Sequence, residues 1–257
     1  MNLIIGGDST IGRALSNFWR DRNIPFHASS RSMVNASEKR PLIDLAEKDT
    51  FRNLNDYQSA VLCAGVSNML SCENNPSKTR FINVTGTITL MTKLTKKGTH
   101  IVFLSTNAVL DGKYPNQKPD ATRNPINEYG RQKAKVEVFI DNLSNACILR
   151  LAKVIHPGLT LFKKWEQSLS NGQPIFAFKD MTLSPVNIDD VIKKIDRLVK
   201  DKATGIFQLS GDTDKSYYKF AQEFAKRKGY PSNLVKKDSW VNKLQFTPPK
   251  YTSLLNV

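Results

Sequence analysis

The sequence predicts an α/β protein built on a doubly wound parallel sheet. Short apolar segments alternate with helix-like segments along the first two-thirds of its 257 residues, which is the pattern of parallel strands joined by helices. A glycine-rich turn, Gly6–Gly12, stands between the first strand candidate and the first helix candidate. The length suits one large domain, with or without a small additional lobe.

The strand candidates of this region are apolar runs, several of them rich in β-branched and aromatic residues. We expect strands at Asn2–Gly7, Pro25–Ser29, Pro41–Leu45, Tyr57–Ala64, Thr99–Leu104 and Ala146–Leu151. Helices are expected at Thr10–Arg22, Pro76–Lys97 and Tyr129–Leu143. Pro76 suits the first turn of its helix, because that position needs no N–H donor. The segment Asp111–Asn127 contains several prolines and glycines and is expected to be a loop.

The pattern is less regular after Leu151. We expect helices at Thr160–Ser170, Asn187–Lys200 and Tyr217–Lys228, and a strand at Ile206–Ser210. Pro174–Pro185 is expected to be a strand-and-turn excursion. The tail around Pro248-Pro249 is expected to be irregular and packed on the body of the protein.

Composition narrows the class of protein. There is no apolar run of about 18 residues and no signal-peptide pattern, so membrane insertion is not expected. Three cysteines without metal or redox spacing favour a cytoplasmic location, and three scattered histidines indicate no metal site. The net charge of +15 comes from dispersed basic pairs, which indicate a solvated basic surface or attraction of a polyanion. No nucleic-acid motif accompanies them, so we expect no nucleic-acid partner.

The turn from Gly6 to Gly12 has the character of a dinucleotide-binding turn of the Rossmann type. Gly6 permits the tight turn, and Gly12 lets the helix pack closely on the sheet. A diphosphate would lie at the helix N-terminus, where free N–H groups and the helix dipole favour an anion. Ser9 stands where the usual spacing has glycine, but its side chain is small and its hydroxyl can reach a phosphate. A glycine turn without a ligand is the alternative. The predicted cofactor contacts are Gly6, Gly7, Ser9, Thr10, Ile11 and Gly12.

The end of the second strand candidate distinguishes NAD from NADP, because an acid there binds ribose hydroxyls and a base suits the 2′-phosphate. The segment His27–Ser32 has no acid and carries Arg31. A guanidinium can bind a phosphate through two hydrogen bonds, and the hydroxyl of Ser30 can add another. NADP is therefore favoured over NAD, with a surface arginine as the alternative interpretation. Asp44-Leu45 fits an adenine-edge contact, or Asp44 caps the following helix.

Tyr129 and Lys133 are four residues apart, so a helix places them on one face, about 6 Å apart along its axis. There the ammonium can lower the pKa of the phenol from about 10 by stabilising the phenolate. A Ser or Thr hydroxyl, such as those of Ser105-Thr106, then completes a proton-transfer site for a carbonyl or an alcohol. A surface tyrosine on a lysine-rich helix is the alternative interpretation.

Assembled in order, these segments resemble the extended short-chain dehydrogenase/reductase superfamily. Within it, the chain is most similar to the dTDP-4-dehydrorhamnose reductase-like branch of sugar-nucleotide enzymes. Besides the glycine turn, the matching segments are Ala64-Gly65, Cys72–Pro76, Asn83–Gly86, Leu104–Gly112, Pro125–Lys133, Ile148–Leu151 and Ser184–Val186. Their order and spacing together carry the resemblance, which covers most of the chain.

The resemblance implies a Rossmann-type sheet with a small C-terminal substrate lobe. Residues 1–151 would bind NADP and carry the reactive site, while residues 152–257 would complete the sheet and form the lobe. Tyr129 would act as the general acid, Lys133 would lower its pKa and hydrogen-bond the nicotinamide ribose, and Thr106 would hold the substrate oxygen. Ala64 and Gly65 would line the cofactor groove through their backbone.

Two departures from the family pattern bear on function. Asn107-Ala108 follow Thr106 where dehydratases of the superfamily have acidic residues, so dehydration is not expected, and Ala108 replaces an aromatic of the rhamnose-type reductases. We expect NADP-dependent reduction of a keto-sugar, in particular a 4-keto sugar nucleotide, in surface-polysaccharide biosynthesis. The alternatives are a sugar-nucleotide epimerase and a catalytically silent NADP-binding regulatory or scaffold protein. The oligomeric state stays open, a homodimer included.

Overall fold

The structure is a computed structural model that describes residues 1–244 and 246–257. Its strands are β1 (Asn2–Ile5), β2 (Phe26–Ala28), β3 (Ser59–Leu62), β4 (His100–Thr106), β5 (Ala146–Leu151), β6 (Val154–Ile155), β7 (Ile175–Phe178), β8 (Thr182–Leu183), β9 (Val186–Asn187), β10 (Gly205–Leu209), β11 (Lys215–Ser216) and β12 (Val235–Asp238). Its α-helices are α1 (Thr10–Arg20), α2 (Met69–Asn74), α3 (Pro76–Arg80), α4 (Thr87–Lys96), α5 (Glu128–Ile140), α6 (Thr160–Ser170), α7 (Ile188–Lys200) and α8 (Tyr217–Arg227).

Six strands form one central sheet in the order β10-β5-β4-β3-β1-β2, and every neighbouring pair is parallel. This arrangement confirms the predicted fold class. The chain first runs outward from β1 to β2 and then returns to β3 on the other side of β1. The carboxyl ends of β1 and β3 therefore form a topological switch point, which is where open α/β sheets bind ligands.

Helices cover both faces of the sheet because successive strand residues point to opposite sides. On one side, Ile4 of β1 and Val102 of β4 join a core with the helices α1 and α7. A hydrogen bond joins these two helices, in which Trp19 Nε1 of α1 donates to Asp196 Oδ1 of α7 at 2.9 Å. On the other, Leu3 and Phe103 join a core with α4 and α5. The two cores fix both helices that begin at the carboxyl edge of the sheet, α1 and α5.

The C-terminal part of the chain adds a core of its own. Phe162 and Trp165 of α6 pack against Phe220 and Phe224 of α8, with ring centroids 5.1 to 6.2 Å apart. Three two-stranded pairings accompany this core: β12 with β7, β11 with β8, and β6 with β9. No helix in the described ranges has the length and apolar character that crossing a membrane requires.

The expected strand at Pro41–Leu45 is wrong. This segment makes a single parallel bridge between Leu42 and Ser30, in which the N–H of Ile43 donates to the Ser30 carbonyl at 2.9 Å. Pro41 has no N–H to extend the ladder. At the other end, a turn begins at once, because the N–H of Glu47 donates to the Asp44 carbonyl at 2.9 Å.

The helix expected over Pro76–Lys97 is present, but it is not a regular α-helix throughout. α3 and α4 are joined by a π-helical stretch, Phe81–Gly86. A Cβ on Gly86 would lie 1.9 Å from the Leu45 carbonyl oxygen, so this stretch passes very close to the preceding segment. The preceding helix α2 and the two-residue strands β6, β9 and β11 are too brief to give a periodic signal in the sequence, and β12 consists mostly of charged residues.

Candidate functional site

A cleft of about 560 Å³ opens at the carboxyl edge of the sheet, at the switch point between β1 and β3. Residues from both halves of the chain line it. The first half contributes the start of α1, the segments that follow β3 and β4, and the first turns of α5. The second half contributes the segment after β5, the strand β8, Tyr217 at the start of α8, and the tail residues Pro249 and Thr252.

The glycine turn has the geometry that the sequence indicated. Gly6 has φ +84°, and a Cβ on it would lie 2.8 Å from the Ala64 backbone nitrogen. A Cβ on Gly12 would lie 2.2 Å from the Gly6 carbonyl oxygen. Both positions therefore exclude a side chain. Ser9 is the N-cap of α1, and its Oγ accepts a hydrogen bond from the Gly12 N–H at 3.0 Å.

The first turn of α1 offers hydrogen-bond donors to the cleft. Thr10 and Ile11 line the cleft, and their positions at the start of the helix leave their N–H groups without an intrahelical acceptor. In the described part of the chain, these two N–H groups have no other backbone acceptor. Free N–H groups at a helix N-terminus suit a phosphate, so the residues present fit a dinucleotide.

Thr106 is the last residue of β4 and lines the cleft beside Ser105 and Asn107. Its Oγ1 accepts a hydrogen bond from the Ala108 N–H at 3.2 Å, and this bond begins a short 3₁₀ turn. The hydroxyl hydrogen has only a long contact of 3.4 Å to Asn107 Oδ1. It can therefore turn toward a ligand oxygen.

The helix α5 brings Tyr129 and Lys133 to the cleft. The helix passes close to the segment after β4 at Gly130, where an added Cβ would lie 2.0 Å from the Ala108 carbonyl oxygen. The N-cap is Asn127, whose Oδ1 accepts from the Gly130 N–H at 2.8 Å. The strand end that carries Thr106 and the helix that carries Tyr129 are thus in direct contact.

The electrostatics of this pair differ from the sequence prediction. Burial raises the pKa of the Tyr129 phenol, and the like charge of a Cys72 thiolate would raise it further. Burial also lowers the pKa of Lys133 to about 8, while the charge of Glu137 acts in the opposite direction. Lys133 Nζ donates to the Leu104 carbonyl at 2.6 Å rather than to the phenol. The expected lowering of the Tyr129 pKa by Lys133 is therefore not found in the described residues.

Ala64 and Gly65 follow β3 and line the cleft, as expected for the cofactor groove. Gly65 has φ +146°, a backbone conformation that favours glycine. Gly6, Gly7 and Gly12 shape the turn beneath α1 without lining the cleft itself.

Besides these glycines, four predicted residues lie outside the lining of the cleft: Ser30, Arg31, Asp44 and Leu45. Arg31 is exposed, and none of its side-chain atoms has a hydrogen bond or ion pair in the described ranges. Asp44 Oδ1 accepts from the Ala46 N–H at 2.9 Å, so it stabilises a turn and does not cap a helix. Leu45 is buried in the core.

Ser30 belongs to a polar cluster that sequence reasoning missed. Its Oγ donates to Asp8 Oδ2 at 2.6 Å, and Arg40 Nη2 donates to Asp8 Oδ1 at 2.7 Å. The hydrogen bond from Ser30, followed by Arg40 and Arg13, lowers the pKa of Asp8 against the opposing effect of burial. Asp8 and Arg40 also line a second groove of about 760 Å³ between α1 and β2. The carboxylate within a glycine turn was the signal available in the sequence.

Asn83 is a second residue that sequence reasoning did not assign. Its Oδ1 accepts from the Val66 N–H at 2.7 Å, and its Nδ2 donates to the Val66 carbonyl at 2.9 Å and to Gln132 Oε1 at 2.8 Å. One side chain in the π-helical stretch therefore fixes the segment after β3 to α5. The signal was an Asn in an otherwise apolar helical segment, and a side chain of this kind rarely stays buried without partners.

The chain matches the family described as RmlD substrate binding domain over residues 1–254. Methionine adenosyltransferase 2 subunit beta of Bos taurus is 23% identical over 91% of this chain and 74% of its own length. dTDP-4-keto-6-deoxy-D-glucose reductase of Streptomyces niveus is 24% identical over 86% of this chain and 76% of its own. The crystal structure of dTDP-4-dehydrorhamnose reductase from Bacillus anthracis in complex with NADP has the same fold, with a TM-score of 0.89 and 19% identity over 100% of this chain and 90% of that one.

Proposed function

This chain belongs to the RmlD substrate binding domain family, and on that basis we propose that it is an NADP-dependent reductase of a keto-sugar. The substrate we assign is a 4-keto sugar nucleotide of surface-polysaccharide biosynthesis in the cytoplasm. One observation carries the proposal: Thr106, Tyr129 and Lys133 line the same cleft as the free N–H groups of α1. Residues 1–151 would hold the cofactor, and residues 152–257 would contribute the last sheet strand and the substrate lobe.

The cofactor would lie across the switch point of the sheet. The N–H groups of Thr10 and Ile11 would bind its diphosphate, and the backbone of Ala64 and Gly65 would line its path. Ser30 and Arg40 contact Asp8 of the glycine turn on the side where the adenosine 2′-phosphate would lie, and Arg31 follows Ser30 directly in the chain. When bound, NADPH would supply the hydride for carbonyl reduction.

The residues of the chain would supply the proton and the orientation. Thr106 would donate a hydrogen bond to the carbonyl oxygen of the substrate, and Tyr129 would transfer its phenolic proton to that oxygen as the carbonyl carbon is reduced. A raised pKa keeps Tyr129 protonated at neutral pH, which is the state that a proton donor needs. Lys133 would place its ammonium beside the phenol as charge develops there, and the phenol would recover its proton from solvent.

Turnover by the wild-type protein and its Tyr129→Phe variant tests this assignment. We expect the wild type to oxidise NADPH with a 4-keto sugar nucleotide, and Tyr129→Phe to lose at least about 100-fold in rate because the proton donor is removed. NADPH affinity should stay within about threefold. Tyr114→Phe is the matched control, because Tyr114 is 72% exposed and does not line the cleft. Unchanged turnover in Tyr129→Phe would remove Tyr129 from the mechanism.

Cofactor preference is tested separately by titrating NADPH and NADH against Arg31→Ala, Arg40→Ala and the exposed control Arg52→Ala. Loss of a charge-assisted contact to the 2′-phosphate should weaken the binding of NADPH by about 10- to 100-fold and should change the binding of NADH very little. The variant with this selective loss identifies the phosphate contact. Equal weakening of both dinucleotides by Arg31→Ala would exclude Arg31 from that role.

A non-catalytic subunit is a second candidate. It is favoured by the similarity to methionine adenosyltransferase 2 subunit beta over 91% of the chain. Tight NADPH binding without oxidation by any keto-sugar nucleotide would support this candidate. Interconversion of two sugar nucleotides without net cofactor oxidation would instead identify an epimerase.

A further inference from the structure

Lys153 lies in the half of the cleft away from the glycine turn. It follows β5 by two residues, and the last residue of that strand, Leu151, is the register partner of Thr106. The Lys153 carbonyl accepts from the Val186 N–H at 3.0 Å, so the backbone at Lys153 is fixed. Lys153 therefore stands on the same edge of the sheet as Thr106, one strand further out.

The side chains that line the cleft carry positive charge without matching negative charge. Its described lining includes three basic side chains, Lys133, Lys153 and His156, and neither an aspartate nor a glutamate. Lys133 has the Leu104 carbonyl as its acceptor. Lys153 has no side-chain hydrogen bond or ion pair within residues 1–244 and 246–257, although lysines on the outer surface, such as Lys228 with Glu166, are paired.

The side chain of Lys153 is exposed to the open cleft, where a ligand can reach it. Although the residue is exposed, the protein on the other side of its ammonium lowers the pKa of Lys153 through partial burial. A cleft that is lined by basic side chains and by no acid has a positive potential that attracts anions, and the described lining provides no anion along this wall. A negatively charged ligand group would supply the missing partner.

The phosphates of the dinucleotide are too distant to fill this role. β5 and β1 are separated by β4 and β3 in the sheet, so their ends stand about 14 Å apart at the usual strand spacing of about 4.8 Å. The diphosphate that binds the start of α1 lies at the β1 end. The anion that faces Lys153 must therefore belong to the substrate.

We propose that Lys153 binds an anionic group of the substrate, a phosphate or a carboxylate, beside Thr106. This inference rests on the proposed function and narrows its substrate class to sugars that carry such a group within reach of the reacting carbonyl. The two sources are the diphosphate of a sugar nucleotide and the carboxylate of a sugar acid.

Calorimetric titration of wild type, Lys153→Met and Lys153→Arg with four probes tests the proposal. The probes are dTDP with thymidine as its uncharged counterpart, and UDP-glucuronic acid with UDP-glucose. We expect Lys153→Met to weaken the binding of the probe whose anionic group Lys153 contacts by about 10- to 100-fold, because a hydrogen bond between charged groups is lost. Lys153→Arg should retain affinity within about threefold. Lys164→Met, an exposed lysine on α6 of the same lobe, is the matched control and should bind like wild type.

The pattern of losses identifies the anion. If Lys153→Met loses affinity for dTDP but not for thymidine, Lys153 binds the diphosphate. If its affinity for UDP-glucuronic acid falls to that for UDP-glucose, Lys153 binds the carboxylate. Unchanged affinities in Lys153→Met, no binding of any probe to either protein, or an equal loss in Lys164→Met would overturn the proposal. NADPH titration of the same samples separates the two conclusions. Retained NADPH binding without a Lys153 effect contradicts this inference alone, and a Lys153 effect without NADPH binding contradicts the cofactor assignment alone.

Discussion

The Lys133 ammonium contacts a carbonyl acceptor and an aromatic ring. Its Nζ donates to the Leu104 carbonyl at 2.6 Å and lies 4.1 Å from the centroid of the Phe103 ring. Burial lowers its pKa to about 8, and Glu137, one turn further along α5, acts to raise it. At neutral pH the ammonium is therefore largely charged, while Tyr129 keeps its proton.

Titration of Lys133 in the folded protein should have a midpoint near pH 8. Nitrogen NMR of the lysine side chains would measure it, with Lys133→Met identifying the signal. Because the native pKa lies below the unfolded value of 10.5, burial of the charged form costs stability below pH 8, and this cost is relieved as the pH rises from 8 to 10.5. A midpoint near 10.5 would contradict the buried environment described for Lys133.

Residue types and spacing in the sequence predicted Thr106, Tyr129 and Lys133 as site residues, because each carries its chemistry in its own side chain, and all three line one cleft. They did not predict the sign of the Tyr129 pKa shift, since that depends on how much protein surrounds the phenol. They also missed the pairing of Asp8 with Arg40, whose side chains meet at 2.7 Å across 32 positions of the chain. Such contacts depend on the path of an irregular segment, for which the sequence has no periodic signal.

At the scale of elements, the site depends on how closely α5 approaches the segment after β4. Gly130 allows this approach, since its Cα lies against the Ala108 carbonyl. The approximate bounds of α5, α6 and α7 and of the central strands were predictable because apolar periodicity marks them. The edge segment Pro41–Leu45 was not, because its apolar residues face the core without a continuous ladder.

Gly130→Ala should displace α5 and separate Tyr129 from Thr106. The new methyl group would lie 2.0 Å from the Ala108 carbonyl oxygen, so the backbone has to move, and overpacking of this kind costs about 1–3 kcal/mol. We expect a lower urea midpoint and at least about a tenfold loss in turnover. Gly158→Ala is the matched control, because its Cβ would meet only the His156 ring, at 3.3 Å. Equal behaviour of the two variants would argue against a close contact at Gly130.

At the scale of the whole molecule, one buried ion pair joins the sheet, the helix and the loop that form the site. Arg150 of β5 and Glu137 of α5 are both fully buried, with Nη2 and Oε2 2.8 Å apart. Glu137 also accepts from Ser105 of β4 and from Arg123 Nε of the long loop, the latter at 2.6 Å. Arg150 further donates to the Pro119 carbonyl at 2.9 Å.

Family membership confirms the resemblance that the motifs predicted, since the match extends over residues 1–254. The order of elements was predictable because each motif lies at a strand end or a helix start. The network around Glu137 was not. Ser105 and Glu137 are 32 residues apart in the chain, and a Glu on a helix more often faces water than a buried arginine.

Glu137→Ala should cost about 3–5 kcal/mol of unfolding free energy, because it leaves the fully buried Arg150 without its carboxylate. The matched control is Asp141→Asn, one turn further along the chain. Asp141 pairs with Arg123 at 2.8 Å but is 43% exposed, so its loss should cost at most about 1 kcal/mol. Urea unfolding of both variants measures the difference.

Since Glu137 holds β4, α5 and the long loop together, Tyr129 and Thr106 should also lose their relative placement, and turnover should fall more than NADPH affinity. Equal stability of the two variants would mean that solvent reaches Arg150 and that the site is held by packing alone.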